Sequence, residues 1–335
     1  MGPTSRDIAR EAGVSQSTVS RALRRDPRVT EETQERVREV AQRLGYVTNH
    51  AARSLKNRRS QTIGVVVADL RNPYFLEVVD GLHDELYLAD YRTFLVADRP
   101  GDDGRDLVGL LRGSVDGVVF ASARNVDEAP TGLADLRLPV VLINREVDGY
   151  PLDRVLSDYA AGGALAAQHL VELGHRRIGL VTGPSSMAVF QDREDAFRRT
   201  LADLGAPFDE SLRREGPFSY EVGEQLATDL LDRPDPPTAI FCADDMVAFG
   251  ALDAARRLGL RVPEDVSVVG YDDLTMAGWD SHDLTTVRQP IAEMAREAAR
   301  LVVQRIERPD ELAEPQRRVH PVTLVRRGST GPASA

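Results

Sequence analysis

The stretch Thr4-Ser5-Arg6-Asp7-Ile8-Ala9-Arg10-Glu11-Ala12-Gly13-Val14-Ser15-Gln16-Ser17-Thr18-Val19-Ser20-Arg21 organises this 335-residue chain. Thr4, with Asp7 three residues on, has the form of a capping box: the hydroxyl can satisfy a free amide of the first turn, and a carboxylate there suits the helix dipole. Ile8, Ala9 and Ala12 fall on one apolar face, and Gly13 sits where that helix should end, because glycine takes the left-handed C-terminal position without steric cost. Ser15 then caps a second helix that turns Val19 and Leu23 inward and leaves Gln16, Ser17, Ser20 and Arg21 outside. Two short helices joined by a glycine-containing turn describe a helix-turn-helix. Its second helix can lie in the DNA major groove, where Gln pairs well with adenine and Arg with guanine. An ordinary helical hairpin has the same spacing, and the rest of the chain has to decide between them.

Charge separates the two ends. Residues 1–60 hold 13 Lys+Arg against 7 Asp+Glu, net +6, whereas the remaining 275 hold 29 against 46, net −17. A small basic head can release counterions from phosphates while an acidic body stays off the DNA. Composition is otherwise that of a soluble globular protein, 42% hydrophobic and 28% charged. No apolar run of signal-peptide type opens the chain and no uncharged apolar stretch of about 18 residues follows, so a cytoplasmic protein without a membrane anchor is expected. Cys242, the single cysteine, lies in the apolar run Phe241-Cys242-Ala243 and reads as a buried core thiol, which leaves no Cys-based metal site.

After Arg24-Arg25-Asp26-Pro27-Arg28, a loop suited to phosphate contacts, Thr30 caps a third predicted helix with Val37, Val40, Ala41 and Leu44 on one face and Gly45 at its end. Three helices can share one small core, closed by Tyr46 and Val47. Residues 49–56 could form two turns of helix capped by Asn49, too short and polar to be stable alone in water. From Ile63-Gly64-Val65-Val66-Val67-Ala68-Asp69 the texture changes to near-continuous apolar runs, each followed by a helical segment, the pattern of parallel strands buried on both faces. More than eight such units imply two α/β lobes of open parallel sheets flanked by helices, with ligands beyond the carboxyl ends of the strands. Polar residues crowd at those ends: Asp69, Asp98, Ser122, Asn144, Asp244 with Asp245, and Asp272 with Asp273.

The run Asp7-Ile8-Ala9-x-x-Ala12-Gly13-Val14-Ser15-x-x-Thr18-Val19-Ser20-Arg21 resembles the signature of the LacI/GalR (lactose and galactose repressor) family. The likeness continues through Gly45-Tyr46, Asn72-Pro73-Tyr74-Phe75, His169-Leu170-x-x-Leu173-Gly174-His175, Ala243-Asp244-Asp245, Ser267-Val268-Val269-Gly270-Tyr271-Asp272-Asp273 and Leu284-Thr285-Thr286-Val287, over nearly the whole chain. It implies an all-α helix-turn-helix head (1–46), a hinge helix and linker (47–60), and a periplasmic-binding-protein-like core (61–335). The first lobe of that core would span about 61–158 plus 290–318 and the second about 159–289 plus 319–328, with 329–335 as a disordered tail. The resemblance also implies that Gln16, Ser17 and Arg21 read bases, with Thr4, Ser15, Thr18 and Asn49 near phosphates. Residues 49–56 would fold on DNA, Ala52 packing near the minor-groove floor and Leu55 wedging into the central base step.

For a small-molecule effector, the resemblance points to Asp69, Tyr74, Phe75, Ser122, Asn144, Arg193, Phe218, Asp244, Asp272 and Gln289. Carboxylates and amides at strand ends accept hydrogen bonds from hydroxyls, an Arg can clamp them, and aromatics stack on apolar ring faces, which suits a sugar. Any single Asp among them could equally be a turn residue. Arg193-Glu194-Asp195-Ala196-Phe197, the apolar loop Ser185 to Phe190 and Trp279-Asp280-Ser281-His282-Asp283 depart from the family pattern, which leaves the ligand's identity open. The expected molecule is a homodimeric, effector-controlled transcription factor, in sense a repressor, on a pseudopalindromic operator, with no cofactor, metal or catalytic residue. The tail has no leucine heptad to zip dimers into tetramers. A solute-binding protein of transport would share the two-lobed fold, and a carbohydrate-active enzyme would need an acid/base or metal set that the spacings do not supply.

Overall fold

The computed structural model describes residues 3–23, 26–46, 59–98, 105–121, 138–147, 150–185 and 187–334. The chain divides into two units, residues 1–60 and 61–335.

Among its described residues, the first unit holds α1 (Ser5–Ala12), α2 (Gln16–Ala22) and α3 (Glu31–Arg43). The Asp7 carboxylate accepts from the Thr4 amide at 2.9 Å and the Thr4 hydroxyl at 2.7 Å, and Gly13 ends α1 at φ +67°. The Ser15 and Thr30 hydroxyls accept from the amides of Thr18 and Thr33, so α2 and α3 start where their sequences place a cap. Ile8, Val19, Ala22, Val29, Val37 and Val40 form one core against which Tyr46 packs. Full burial of each larger aliphatic side chain contributes about 1.5–3 kcal/mol, which is what holds helices this short. Buried Gln34 donates to the carbonyls of Asp26 and Val29 and braces the loop before α3.

The second unit contains two six-stranded sheets among its described residues. The first lobe runs β1 (Thr62–Val67), α4 (Pro73–Leu88), β2 (Arg92–Ala97), α5 (Arg105–Leu111), β3 (Gly117–Phe120), β4 (Val140–Ile143) and β5 (Asp153–Ser157). It later regains α10 (Ile291–Glu307) and β11 (Arg317–His320). Its strands are parallel in the order β11-β5-β4-β3-β1-β2. The second lobe runs α6 (Tyr159–Glu172), β6 (Ile178–Thr182), α7 (Ala188–Asp203), β7 (Arg213–Glu215), α8 (Tyr220–Leu231), β8 (Ala239–Cys242), α9 (Asp245–Arg257), β9 (Ser267–Asp272) and β10 (Thr285–Arg288), and it ends with β12 (Thr323–Val325). Its order is β12-β10-β9-β8-β6-β7, parallel except that β12 runs antiparallel to β10. Val65, Val67, Val119, Val141 and Ile143 face one layer of the first lobe, and Val66, Val118, Phe120, Val140 and Leu142 the other, so the central strands β1, β3 and β4 are dry on both faces.

The chain crosses between lobes after β5, after β10 and after β11. The third crossing follows His320, two residues beyond the expected boundary at 318, because β11 pairs with β5 through Arg317↔Arg154 to His320↔Ser157. The expectation of a disordered tail is corrected for 329–334. Ser329 is 2% exposed; its hydroxyl donates to the Val268 carbonyl at 2.6 Å, and its carbonyl accepts from the Val268 amide at 2.8 Å. Gly331 donates to the Ser267 hydroxyl and Ala333 to the Leu173 carbonyl. Gly/Ser/Pro composition signals disorder only where the backbone lacks partners, and here β9 and the end of α6 supply them. Ala335 and the hinge at 49–56 lie outside the described residues.

Candidate functional site

On α2, Val19 and Ala22 point inward, whereas Gln16, Ser17 and Arg21 are exposed. The Ser15 hydroxyl is 2.7 Å from that of Ser17 and 2.8 Å from that of Thr18, and the Gln16 amide donates to the Ser5 hydroxyl at 2.7 Å. The start of α2 is thus a shelf of short hydroxyls with one amide tied back to α1. Thr4 stands exposed at the head of α1. Arg28 forks onto Asp26 at 2.7 and 2.9 Å, and those bonds hold the Asp26 carboxyl well below the usual carboxylate range. Asn49, Ala52 and Leu55 fall outside the described residues.

In the second unit the predicted residues stand beyond strand ends: Asp69 after β1, Asn144 after β4, Asp244 after β8, Asp272 closing β9 and Gln289 after β10. Asn144 (φ +54°) and Asp272 (φ +122°) adopt backbone conformations that favour glycine, which concentrates strain at these ends. Asp272 is 6% exposed and accepts from the Gln289 amide at 2.5 Å; the Gln289 oxygen accepts from the Ser157 hydroxyl at 2.6 Å. Ser157 belongs to the first lobe and Asp272 to the second, so this relay bridges them beside two of the crossings.

Arg193, 3% exposed on α7, lies with its guanidinium carbon 3.3 Å from the Tyr271 ring centroid and 5.2 Å from that of Phe190. It donates to the Ala243 carbonyl, while its Nε is buried and unpartnered. The helix carrying it comes close to α6 because Gly163 has no side chain: a Cβ there would collide with the Arg193 carbonyl. Phe218 stacks on Phe190 at 4.4 Å, over the backbone of Gly183, where a Cβ would strike its ring. Tyr74 and Phe75, in the first turn of α4, are both 7% exposed and meet edge to face at 5.4 Å. Tyr159 donates to Asn144 at 2.8 Å.

Asp244 caps α9 by accepting from the Val247 amide at 2.7 Å. Burial pushes its carboxyl up to about 6 against the pull of the amides and Arg193. Asp245 lies fully buried beneath, accepting from the Leu274 amide and the Thr286 hydroxyl. Asp245 and Asp272 are raised by burial and by the neighbouring carboxylates. Tyr74 is raised first by burial and then by the Asp272 carboxylate.

The structure therefore brings together Tyr74, Arg193, Asp244, Asp272 and Gln289, with Asn144 joined through Tyr159 and Phe218 through Phe190. Asp69 is turned onto Arg71, its fork measuring 2.9 and 3.1 Å, in the loop before α4. Ser122 lies outside the described residues. Sequence reading missed Ser157, Tyr159, Phe190, Tyr271 and the bracing role of Asp245. Of these, only Asp245 had a local signal, a second Asp at the head of an amphipathic helix. Among the described residues, no group of three or more His, Cys, Asp or Glu could hold a metal ion, and no helix is long and apolar enough to cross a membrane.

Residues 4–49 match the model for bacterial regulatory proteins of the lacI family, and 167–330 match a periplasmic binding protein-like domain. The HTH-type transcriptional regulator CelR of Thermobifida fusca is 38% identical over 98% of this chain and 98% of its own. A solved complex of CelR with cellobiose superposes with a TM-score of 0.74 at 37% identity, covering 98% of this chain and 99% of that one. The lac repressor dimer bound to operator and the anti-inducer ONPF superposes with a TM-score of 0.85 at 27% identity, covering 99% of this chain and 100% of that one. The chain belongs to the lacI family of bacterial regulatory proteins and is a DNA-binding transcriptional repressor, not an enzyme or a transport protein.

Proposed function

We propose that this repressor acts in the cytoplasm as a homodimer on a pseudopalindromic operator, and that a sugar held between the lobes of its core changes its affinity for that operator. A two-fold dimer presents two heads to two half-sites. Gln16, Ser17 and Arg21 read bases, Thr4, Ser15, Thr18 and Asn49 face phosphates, and Ala52 and Leu55 of the hinge enter the minor groove. Asp69, Tyr74, Phe75, Ser122, Asn144, Arg193, Phe218, Asp244, Asp272 and Gln289 form the effector site. The observation that carries this reading is the buried relay from Ser157 through Gln289 to Asp272, because a ligand bonded to Asp272 would act on a contact shared by both lobes.

The test selects an operator from a random duplex pool with the full chain and measures its affinity with and without cellobiose, ribose, glucose and galactose. At least one sugar should shift operator affinity, and Asp272→Ala should keep DNA binding while losing the shift. A normal response in that variant would move the effector site elsewhere. Leu55→Ala should reduce both operator bending and affinity with sugar binding intact; unchanged bending would remove the wedge role.

A further inference from the structure

We propose that Ser5 of α1 is a positioning residue for base reading: its hydroxyl holds the Gln16 carboxamide ready for adenine, so that α1 and α2 together, rather than α2 alone, set the specificity of one base position. This role rests on the reading of Gln16 as a base contact, and it follows from where the Gln16 side chain is tied.

Gln16 opens α2 with its side chain exposed. A glutamine in such a place has several rotatable bonds, and left to itself it can turn its oxygen and its nitrogen toward many partners. The nearest hydroxyls of its own helix are engaged with one another. Ser15 lies 2.7 Å from Ser17 and 2.8 Å from Thr18, and it also accepts from the Thr18 amide at 3.0 Å. The tie crosses instead to the neighbouring helix, where the Gln16 amide nitrogen donates to Ser5 Oγ at 2.7 Å, eleven residues earlier in the chain.

Ser5 is a fixed anchor. It is the first residue of α1, directly after Thr4, whose amide and hydroxyl both donate to the Asp7 carboxylate and so hold the start of that helix. The shared core of Ile8, Ala12, Val19, Ala22 and Val37 fixes α1 against α2 and α3, and Arg43 of α3 donates to Glu11 of α1 at 3.1 Å. Ser5 therefore does not move with Gln16; Gln16 is held by Ser5.

A carboxamide carries two N–H donors and an oxygen that accepts. Ser5 takes one N–H, which leaves the oxygen and the other N–H, the pair that adenine engages through its N6 amino group and N7. A side chain ordered before the base arrives loses less entropy on binding. A held carboxamide also cannot swing to another edge or out to water when the base is wrong, so a mismatch leaves polar groups unpaired. The tie thus favours adenine at one position without touching DNA charge.

The experiment measures affinities of the full chain for its selected operator, for every single base-pair substitution in one half-site and for random duplex, each over a range of salt. Gln16→Ala locates the position that Gln16 reads. Ser5→Ala should reduce discrimination at that position alone, by about 3- to 10-fold, with random-duplex affinity and salt slope unchanged. Ser5→Thr, which keeps the hydroxyl, should retain the wild-type ratio. In a Gln16→Ala background, Ser5→Ala should change nothing at that position. An equal loss on operator and random duplex with a shallower salt slope would make Ser5 a phosphate contact and overturn the proposal. Lost discrimination at a position that Gln16→Ala leaves alone would make Ser5 a reader in its own right and overturn it as well. If Gln16→Ala alters no base preference, the reading of Gln16 itself fails and the role of Ser5 falls with it.

Discussion

The recognition face of α2 and the cleft of the core are both clusters of polar side chains, yet they are built in opposite ways. On α2 the groups are exposed, mostly uncharged and bonded within two to eleven residues of one another, as Ser15 is to Ser17 and Gln16 to Ser5. In the cleft they are buried and charged, and bonds such as Ser157 to Gln289 span 132 residues. A site of the first kind exists wherever its short helix exists. The second exists only when two sheets and their crossings are complete, and it holds charge and backbone strain that the rest of the core must offset.

Arg193→Ala is the strongest test of that contrast. Removing the one cation that the described residues place among three buried carboxylates should lower the unfolding free energy of the core by about 3–5 kcal/mol in urea titrations, with binding to random DNA unchanged. A loss below about 1 kcal/mol would mean that the cleft stores far less than its geometry implies. Asp244→Asn should act in the reverse direction. The folded carboxyl titrates at about 6 against 3.8 unfolded, so its favourable contribution is complete below about pH 4 and is lost as pH rises through about 6. The variant should therefore be more stable than wild type by about 1–3 kcal/mol at pH 7, and the gap should close as pH falls through that window. A gap that does not vary with pH would exclude Asp244 as its source.

On α2 the effects should be those of exposed groups. Arg21→Ala should weaken selected operator by roughly 1–3 kcal/mol and relax one base position; an equal loss on random DNA would demote it to a phosphate contact. Smallest is Ser15→Ala, which removes a cap from a helix whose core stays intact. It should lower head stability by about 1 kcal/mol in thermal melts.

The same contrast governs what the sequence discloses. The head is legible almost completely, since Ser15 and Thr30 accept from amides three residues on, Thr4 bonds the Asp7 carboxylate, and Gly13 ends α1 through its own left-handed backbone. Strands buried on both faces, such as β1 and β8, appear as apolar runs. The edge strands β7 and β11, Arg-Arg-Glu and Arg-Arg-Val-His, have no such run because one side of each faces away from the sheet; their pairing is fixed by distant partners. In the cleft, position at a strand end singles out Asp244 and Asp272, while Gln289 is reached only through the family resemblance. Nothing local marks Ser157 or Tyr271, which matter through contacts made across the fold, whereas Asp69 turns to Arg71 two residues on, the turn reading that its sequence also allowed. The final segment misled for a related reason: Ser329 reads as a flexible tail until β9 is there to receive it.

The three crossings also set the order in which the molecule can be completed during synthesis. The head can close its core once about 46 residues are made. The first lobe cannot: α10, whose Met294, Ala295, Ala298, Ala299 and Val302 are buried in it, and its edge strand β11 are encoded after all of the second lobe but β12 and the segment that follows it. A growing chain must therefore carry β1 to β5 without one covering helix through the synthesis of residues 159–289, with an apolar sheet face exposed meanwhile. The DNA-reading part is finished first, and the part that controls it becomes whole only with the last few dozen residues.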